Sequence, residues 1–221
     1  MENLHSAKDD YRKYSKALSA ALGFRDPFTQ IHSDRVLGLS TQLGLAVGLT
    51  EDELVTLKVS SLLHDVGKIG IPDRILLKPS KLEKTEWSMM KRHSEFGERI
   101  LESTELDGVH QCATVVRHHH EHFDGHGYPD GLSGEDIPLF SRIIGIADSY
   151  DAMAMSRPYH RSKSHQEIMT ILGQETGEKL DPALMRVFST IIENSNFKAP
   201  EAKGHESGTA TRVAKFRSLT Q

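Results

Sequence analysis

One cysteine, Cys112, and one tryptophan, Trp87, occur in the 221 residues of this chain. A lone thiol excludes a disulfide framework and any zinc site built on several thiolates, and it suits a reducing, cytoplasmic setting. Long apolar runs are missing as well: no stretch of about 18 apolar residues occurs, so no membrane-spanning helix is expected. The opening residues MENLHSAKDDYRKYSK mix both charges and lack the apolar stretch of a signal peptide. No large excess of one charge is present. A net charge of −4 speaks against generic coating of duplex nucleic acid, so a phosphate ligand would have to be drawn by a local field. What the chain does have is histidine, 13 copies of it, and imidazole suits borderline transition metals.

The apolar spacing reads as helices throughout, with only short stretches such as Ile69 to Ile71 ambiguous. Amphipathic stretches run from about Tyr11 to Leu22, breaking at Gly23, and from about Phe28 to Val47. Thr50 with Glu53 forms a capping box that opens a third helix ending near Gly67. A fourth helix is expected over Thr85 to Leu101 and a fifth over Val109 to Glu121. The segment from Phe123 to Pro138 is punctuated by glycine and proline, and a long loop of this kind beside a site suits a gate. A sixth helix follows from Leu139 to Met155; Ser164 with Glu167 caps a seventh, and Asp181-Pro182 opens the last. The expectation is an all-α, compact helical bundle: a helical extension over residues 1–23, one domain over 24–194, and a flexible polar tail over 195–221.

The chemistry begins at His64-Asp65. Neighbours on a helix differ by about 100°, so both can reach one point beside a C-terminal turn. Gly67, Lys68 and Gly70 follow at once, placing two ligand types and a cation at a sharp exit. Other polar residues share apolar helix faces. His32 is in phase with Val36, Leu39 and Leu43; His93 with Met89, Gly97 and Ile100; Asp148 with Ile144, Ala152 and Met155. Taken singly, each histidine reads more readily as a core imidazole bonded to a carbonyl. The aspartate is harder to explain that way, because a buried carboxylate needs a cation and no basic residue lies on its stripe. In the run Arg117 to His122, His119 and His120 can face one interior point, either one at each of two metals or both at one, whereas His118 and His122 read as a solvated helix end. Two divalent ions against Asp65 and Asp148 leave positive charge that a hydroxide and a phosphodiester would balance. Metals about 3.5–4 Å apart form the clamp suited to in-line displacement at phosphorus by a bridging hydroxide. Nitrogen donors without thiolates favour iron, manganese, zinc or nickel over magnesium or calcium.

These residues resemble those of the HD-GYP branch of the HD-domain phosphohydrolases. The resemblance is carried by HDVGKIGIPDRIL from His64, HHEHFDGHGYPDG from His119, and ADSYDAM and RPY from Ala147 onward, and it covers roughly Phe24 to Phe188. It implies a helical bundle that linearises cyclic di-GMP, in many members cutting on to GMP, with two divalent metals, iron or manganese first. It implies metal ligands at His32, His64, Asp65, His93, His119, His120 and Asp148, with Asp65 and Lys68 the catalytic pair. It further implies that Lys68 stands over the substrate phosphate, and that Tyr128, Arg157 and Asp151 contact the dinucleotide. The chain departs from the pattern at Phe28, where members with a third metal carry a glutamate, and at His160, where a basic residue is common. Family members are usually output domains, so Tyr11 to Leu22 is expected to be the tail of a signalling helix that meets a signalling partner or a second copy. Two other readings stand beside the enzyme: a catalytically slow module that binds a cyclic dinucleotide or a partner protein, and a hydrolase of another cyclic dinucleotide or a nucleotide monophosphate.

Overall fold

The computed structural model describes residues 2–104, 106, 108–155 and 162–201, with side chains from residue 14 onward except at Pro27. Among them the chain forms α1 (Glu2–Arg25), α2 (Pro27–Ala46), α3 (Glu51–Leu63), α4 (Asp73–Leu76), α5 (Lys84–Lys91), α6 (His93–Glu102), α7 (Val109–His118), α8 (Leu139–Ala154), α9 (His165–Glu175) and α10 (Pro182–Ile191), joined by turns and short 3-10 segments. There is no strand among the described residues, only an isolated bridge between Thr176 and Leu180. No described helix is long and apolar enough to cross a membrane.

The helix starts follow local chemistry. Thr50 with Glu53 and Ser164 with Glu167 make capping boxes at α3 and α9, and a third box, Glu83 with Glu86, opens α5. Asp26 and Asp181 accept from the first free N–H groups of α2 and α10, each with proline at the first helical position.

Four element boundaries depart from the sequence expectation, each for a physical reason. Helix α1 does not break at Gly23 but runs to Arg25. The break falls at Asp26, held extended (φ −142, ψ 94) because Pro27 disfavours helical backbone before it. Helix α3 ends at Leu63, and residues Val66–Gly70 form a 3-10 turn. The stretch expected as one helix from Thr85 to Leu101 divides at Arg92 into α5 and α6. There His93 Nδ1 bonds the Met90 carbonyl at 2.8 Å and Ser94 Oγ bonds the Lys91 carbonyl at 3.0 Å, so side chains replace the helical partners of those carbonyls. Helix α7 stops at His118, leaving His119 and His120 in the turn beyond it.

Helix α1 packs along α2 and α3, with Leu22 buried and Leu18 against a small core cluster. Within residues 195–201, expected in the tail, Phe197 and Ala199 pack on the larger core cluster. Ala199 is buried and donates its N–H to Tyr150 Oη at 2.8 Å, while Pro200 accepts from His165 N at 3.0 Å. The Phe197 ring lies against Gly38, where a Cβ would come within 2.2 Å of it. The lack of periodicity hid this because a short segment can bury single residues without forming an element.

Two apolar clusters organise the bundle. The larger includes Leu39 and Leu43 of α2, Ile143 and Tyr150 of α8, Leu172 of α9 and Phe188 of α10, all fully buried. The smaller joins Leu63 and Val66 to Leu101 of α6 and Cys112 and Val116 of α7. Each such aliphatic or aromatic side chain contributes about 1.5–3 kcal/mol by leaving water, enough to hold polar residues inward where the two clusters meet.

Candidate metal centre

Five helices and their ends bring seven polar side chains together. His32 comes from the first half of α2, His64 and Asp65 from the exit of α3, His93 from the first residue of α6, His119 and His120 from the turn after α7, and Asp148 from the middle of α8. His32, His64, Asp65, His93 and His119 are all buried, at 1–3% exposure. Ligand atoms of His32, His64 and Asp148 lie within 4.8 Å of one another, and so do those of His93, His119 and His120. Asp65 stands between the two triads, one oxygen 3.5 Å from His64 Nε2 and the other 3.5 Å from His93 Nε2.

Proton placement shows what this cluster can hold. His64, His93 and His119 each turn Nδ1 to a backbone carbonyl three residues earlier: Ser61 at 2.7 Å, Met90 at 2.8 Å and Val116 at 2.6 Å. A carbonyl only accepts, so each Nδ1 carries the proton and each Nε2 presents a lone pair. The Nε2 atoms of His93 and His119 then face each other at 3.4 Å with no hydrogen between them, and the buried Nε2 of His64 has no hydrogen-bond partner. Converging buried lone pairs are costly unless a cation accepts them, and a carbonyl on the far nitrogen is the usual support of a metal-bound imidazole. The residues fit divalent metal ions, with nitrogen and carboxylate donors and no thiolate.

The electrostatics divide in the same way. Burial drives His119 down to about 3 and lowers His64, His93 and His120, keeping these imidazoles neutral. At His32 burial also opposes charge, but bonds to Asp148 (2.9 Å) and Asp151 (2.8 Å) outweigh it and raise the group to about 9. Burial pushes both carboxyls of the cluster up; Lys68 beside Asp65 and His32 beside Asp148 outweigh that and hold them well below the usual range.

The surrounding residues carry one correction. Asp151, expected to touch substrate, is fully buried, with one oxygen on His32 Nδ1 and the other on Arg35 Nε at 2.5 Å. It orients the imidazole of His32 from behind, with both of its oxygens taken up by these partners. Lys68 reaches Asp65 Oδ2 at 2.6 Å and keeps some exposure at the mouth of the cluster. Tyr128 lies over His120, ring centres 4.9 Å apart, with Lys91 Nζ 5.4 Å from its ring. Arg157 and His160 lie outside the described residues. Phe28, one turn before His32, is half-exposed and carries no ligand atom.

The loop from Phe123 to Pro138 is tied down. Arg117 grips Asp130 with Nε at 2.7 Å and Nη2 at 2.8 Å, and buried Glu121 accepts from the N–H groups of Asp130 (2.7 Å) and Gly131 (3.1 Å). Tyr128 N also donates to the His120 carbonyl at 3.2 Å. His118, expected as a solvated residue, bonds Thr114 O and Asp130 instead. His118, Glu121 and Asp130 lie close enough to suggest another cation site, but the guanidinium of Arg117 already fills that role. The supporting residues Arg35, Arg117 and Glu121 had no signal in the sequence, because their partners are distant along the chain or are backbone groups.

Residues 16–184 match the HD domain family. The chain belongs to this family, whose phosphohydrolases are metal-dependent. It is 35% identical over 182 residues to the cyclic di-GMP phosphodiesterase response regulator RpfG of Xanthomonas campestris pv. campestris, covering 82% of this chain and 48% of that protein. It is 37% identical over 182 residues to the 3'3'-cGAMP-specific phosphodiesterase 2 of Vibrio cholerae, covering 80% of this chain and 35% of that one. The chain thus spans half or less of the length of these relatives. Among solved structures it is similar in fold to Bd1817, a HDG"Y"P protein from Bdellovibrio bacteriovorus, with a TM-score of 0.63 at 20% identity, covering 87% of this chain and 64% of that one.

Proposed function

We propose that this chain is a cytoplasmic phosphodiesterase that linearises a cyclic dinucleotide, cyclic di-GMP first, at a site holding two divalent metal ions. The observation that carries the reading is the pair of triads, His32/His64/Asp148 and His93/His119/His120, with Asp65 3.5 Å from a nitrogen of each. Six ligands in two sets, and a seventh shared, match a pair of ions; Phe28 adds no ligand for a third. Iron or manganese fits the donor set first, zinc or nickel next. When bound, the ions supply Lewis acidity toward the phosphodiester and lower the pKa of water.

The chain's own residues account for the rest. Hydrolysis adds water across one phosphodiester: a P–O bond to water forms, the P–O bond to a ribose oxygen breaks, and that oxygen leaves as a hydroxyl. Negative charge grows on the phosphate oxygens as this happens. Lys68, at the mouth beside Asp65, is the cation placed to stabilise that charge. Tyr128, lying on His120, offers a ring face to a base next to the reacting phosphate. The resemblance alone gives Arg157 as a further substrate contact. Asp151 bonds His32 Nδ1 and orients the ring so that Nε2 faces Asp148 and the cluster. The relative named for 3'3'-cGAMP supports a second reading, the same hydrolysis on a mixed-base cyclic dinucleotide.

The test is to purify the protein without oxygen, count its metals, and separate the products from cyclic di-GMP, 3'3'-cGAMP and cyclic di-AMP. About two ions per chain and a linear dinucleotide, with GMP in second place, are expected from cyclic di-GMP. Metal-loaded protein that leaves all three substrates intact would sink the proposal; turnover of 3'3'-cGAMP alone would select the second reading.

A further inference from the structure

Lys68 sits in the 3-10 turn Val66–Gly70, closed at its two ends by Lys68 N to Asp65 O at 2.9 Å and Ile71 N to Lys68 O at 3.1 Å. On one side this turn is pressed against α6. A Cβ on Gly67 would lie 1.8 Å from the His93 carbonyl and 2.4 Å from Gly97 N, so only glycine lets the backbones approach this closely. On the other side stands Arg25, the last residue of α1.

The Arg25 guanidinium spans the turn. Nη1 donates to the carbonyls of Lys68 (3.0 Å) and Ile69, Nη2 to the carbonyl of Ile71 and to Asp73 Oδ1 (2.6 Å), and Nε to the same Asp73 oxygen (3.0 Å). These contacts use the planar fork of donors that arginine has and lysine lacks. Asp73 is 70% exposed, so its ion pair contributes little; the captured carbonyls are the part of the contact that fixes backbone. Three carbonyls in four consecutive residues are thereby held by one side chain more than forty positions earlier in the chain.

We propose that Arg25 is a positioning residue for Lys68: it pins the turn from the α1 side, so that the end of α1 sets where the Lys68 ammonium stands relative to Asp65. The assignment rests on the reading of Lys68 above. It also gives α1 a direct mechanical hold on the site.

The experiment combines Arg25→Ala, Arg25→Lys, Asp73→Ala and Lys68→Ala in the whole chain, read by metal content, kcat and KM, and amide hydrogen exchange. Arg25→Ala is expected to keep wild-type metal content and a similar KM while kcat falls by about tenfold or more, the size expected when a catalytic group is misplaced by part of an ångström. Arg25→Lys recovers little, Asp73→Ala stays near wild type, and the amides of residues 68–71 exchange faster without Arg25. On a Lys68→Ala background, Arg25→Ala costs nothing further. Multiplying losses in that double variant, or an Asp73→Ala loss equal to that of Arg25→Ala, would overturn the assignment. Should Arg25→Ala not fold, Arg25→Lys carries the same comparisons. If the wild-type protein hydrolyses no cyclic dinucleotide, the functional reading fails, while exchange at residues 68–71 still decides for or against the Arg25 clamp.

Discussion

The chemistry of single residues at this centre depends on which imidazole nitrogen is committed elsewhere. His64, His93 and His119 spend Nδ1 on carbonyls of their own turns, which leaves Nε2 to converge with Asp65 among them. This separates two neighbours that both carry charge. Asp65 lies within reach of both triads, so Asp65→Ala should strip metal and activity together. Lys68 touches Asp65 from the mouth, so Lys68→Ala should retain metal while kcat falls by about 10²–10³-fold, the usual loss for one group that stabilises developing charge. Metal analysis beside steady-state kinetics checks both. The reverse pattern, metal lost with Lys68 and kept without Asp65, would exchange the roles.

At the scale of elements, the site is built from helix ends and turns that α-helical periodicity does not register. The break at Arg92 makes His93 the first residue of α6, and Gly67 lets α6 settle against the turn after α3. Gly67→Ala should therefore destabilise the fold by about 1–3 kcal/mol or more, the range for overpacking a close contact, and a lowered denaturation midpoint with reduced metal content would show it. The loop after His120 is anchored through Glu121, Arg117 and Asp130, contacts that suit a wall of the site better than a loose gate. Tyr128→Ala should raise KM or lower kcat with metal content and Tm nearly unchanged. Lost stability with full activity per folded molecule would remove Tyr128 from the site. Asp130→Ala, which releases the wall without touching the ring, should produce a milder form of the same kinetic change.

For the whole molecule, the candidate metal centre draws its seven side chains from α2, from the ends of α3, α6 and α7, and from α8, helices that also carry the two apolar clusters. Ions bound only by the folded chain stabilise it by mass action, by about 2.7 kcal/mol for a site at a hundred times its Kd. Stripping metal with a chelator should lower Tm and restoring it should return the original value; an unchanged Tm would show that the cluster binds no metal tightly.

By itself the sequence determined the all-helical class, the capping boxes at Thr50 and Ser164, and the proline-led starts of α2 and α10, because these depend on residues within one or two turns of each other. It also singled out the seven His and Asp residues, since each breaks an apolar stripe or stands in an unusual pair. Only the tertiary structure decided how those seven divide into two triads around Asp65. The same is true of Asp151, which faces His32 and Arg35, and of Phe197 and Ala199, which pack on the larger core cluster. Arg25 reaching the Lys68 turn belongs with these. Such contacts join groups far apart along the chain, many of them backbone carbonyls, and a carbonyl has no letter in the sequence; its partner is chosen when the helices pack.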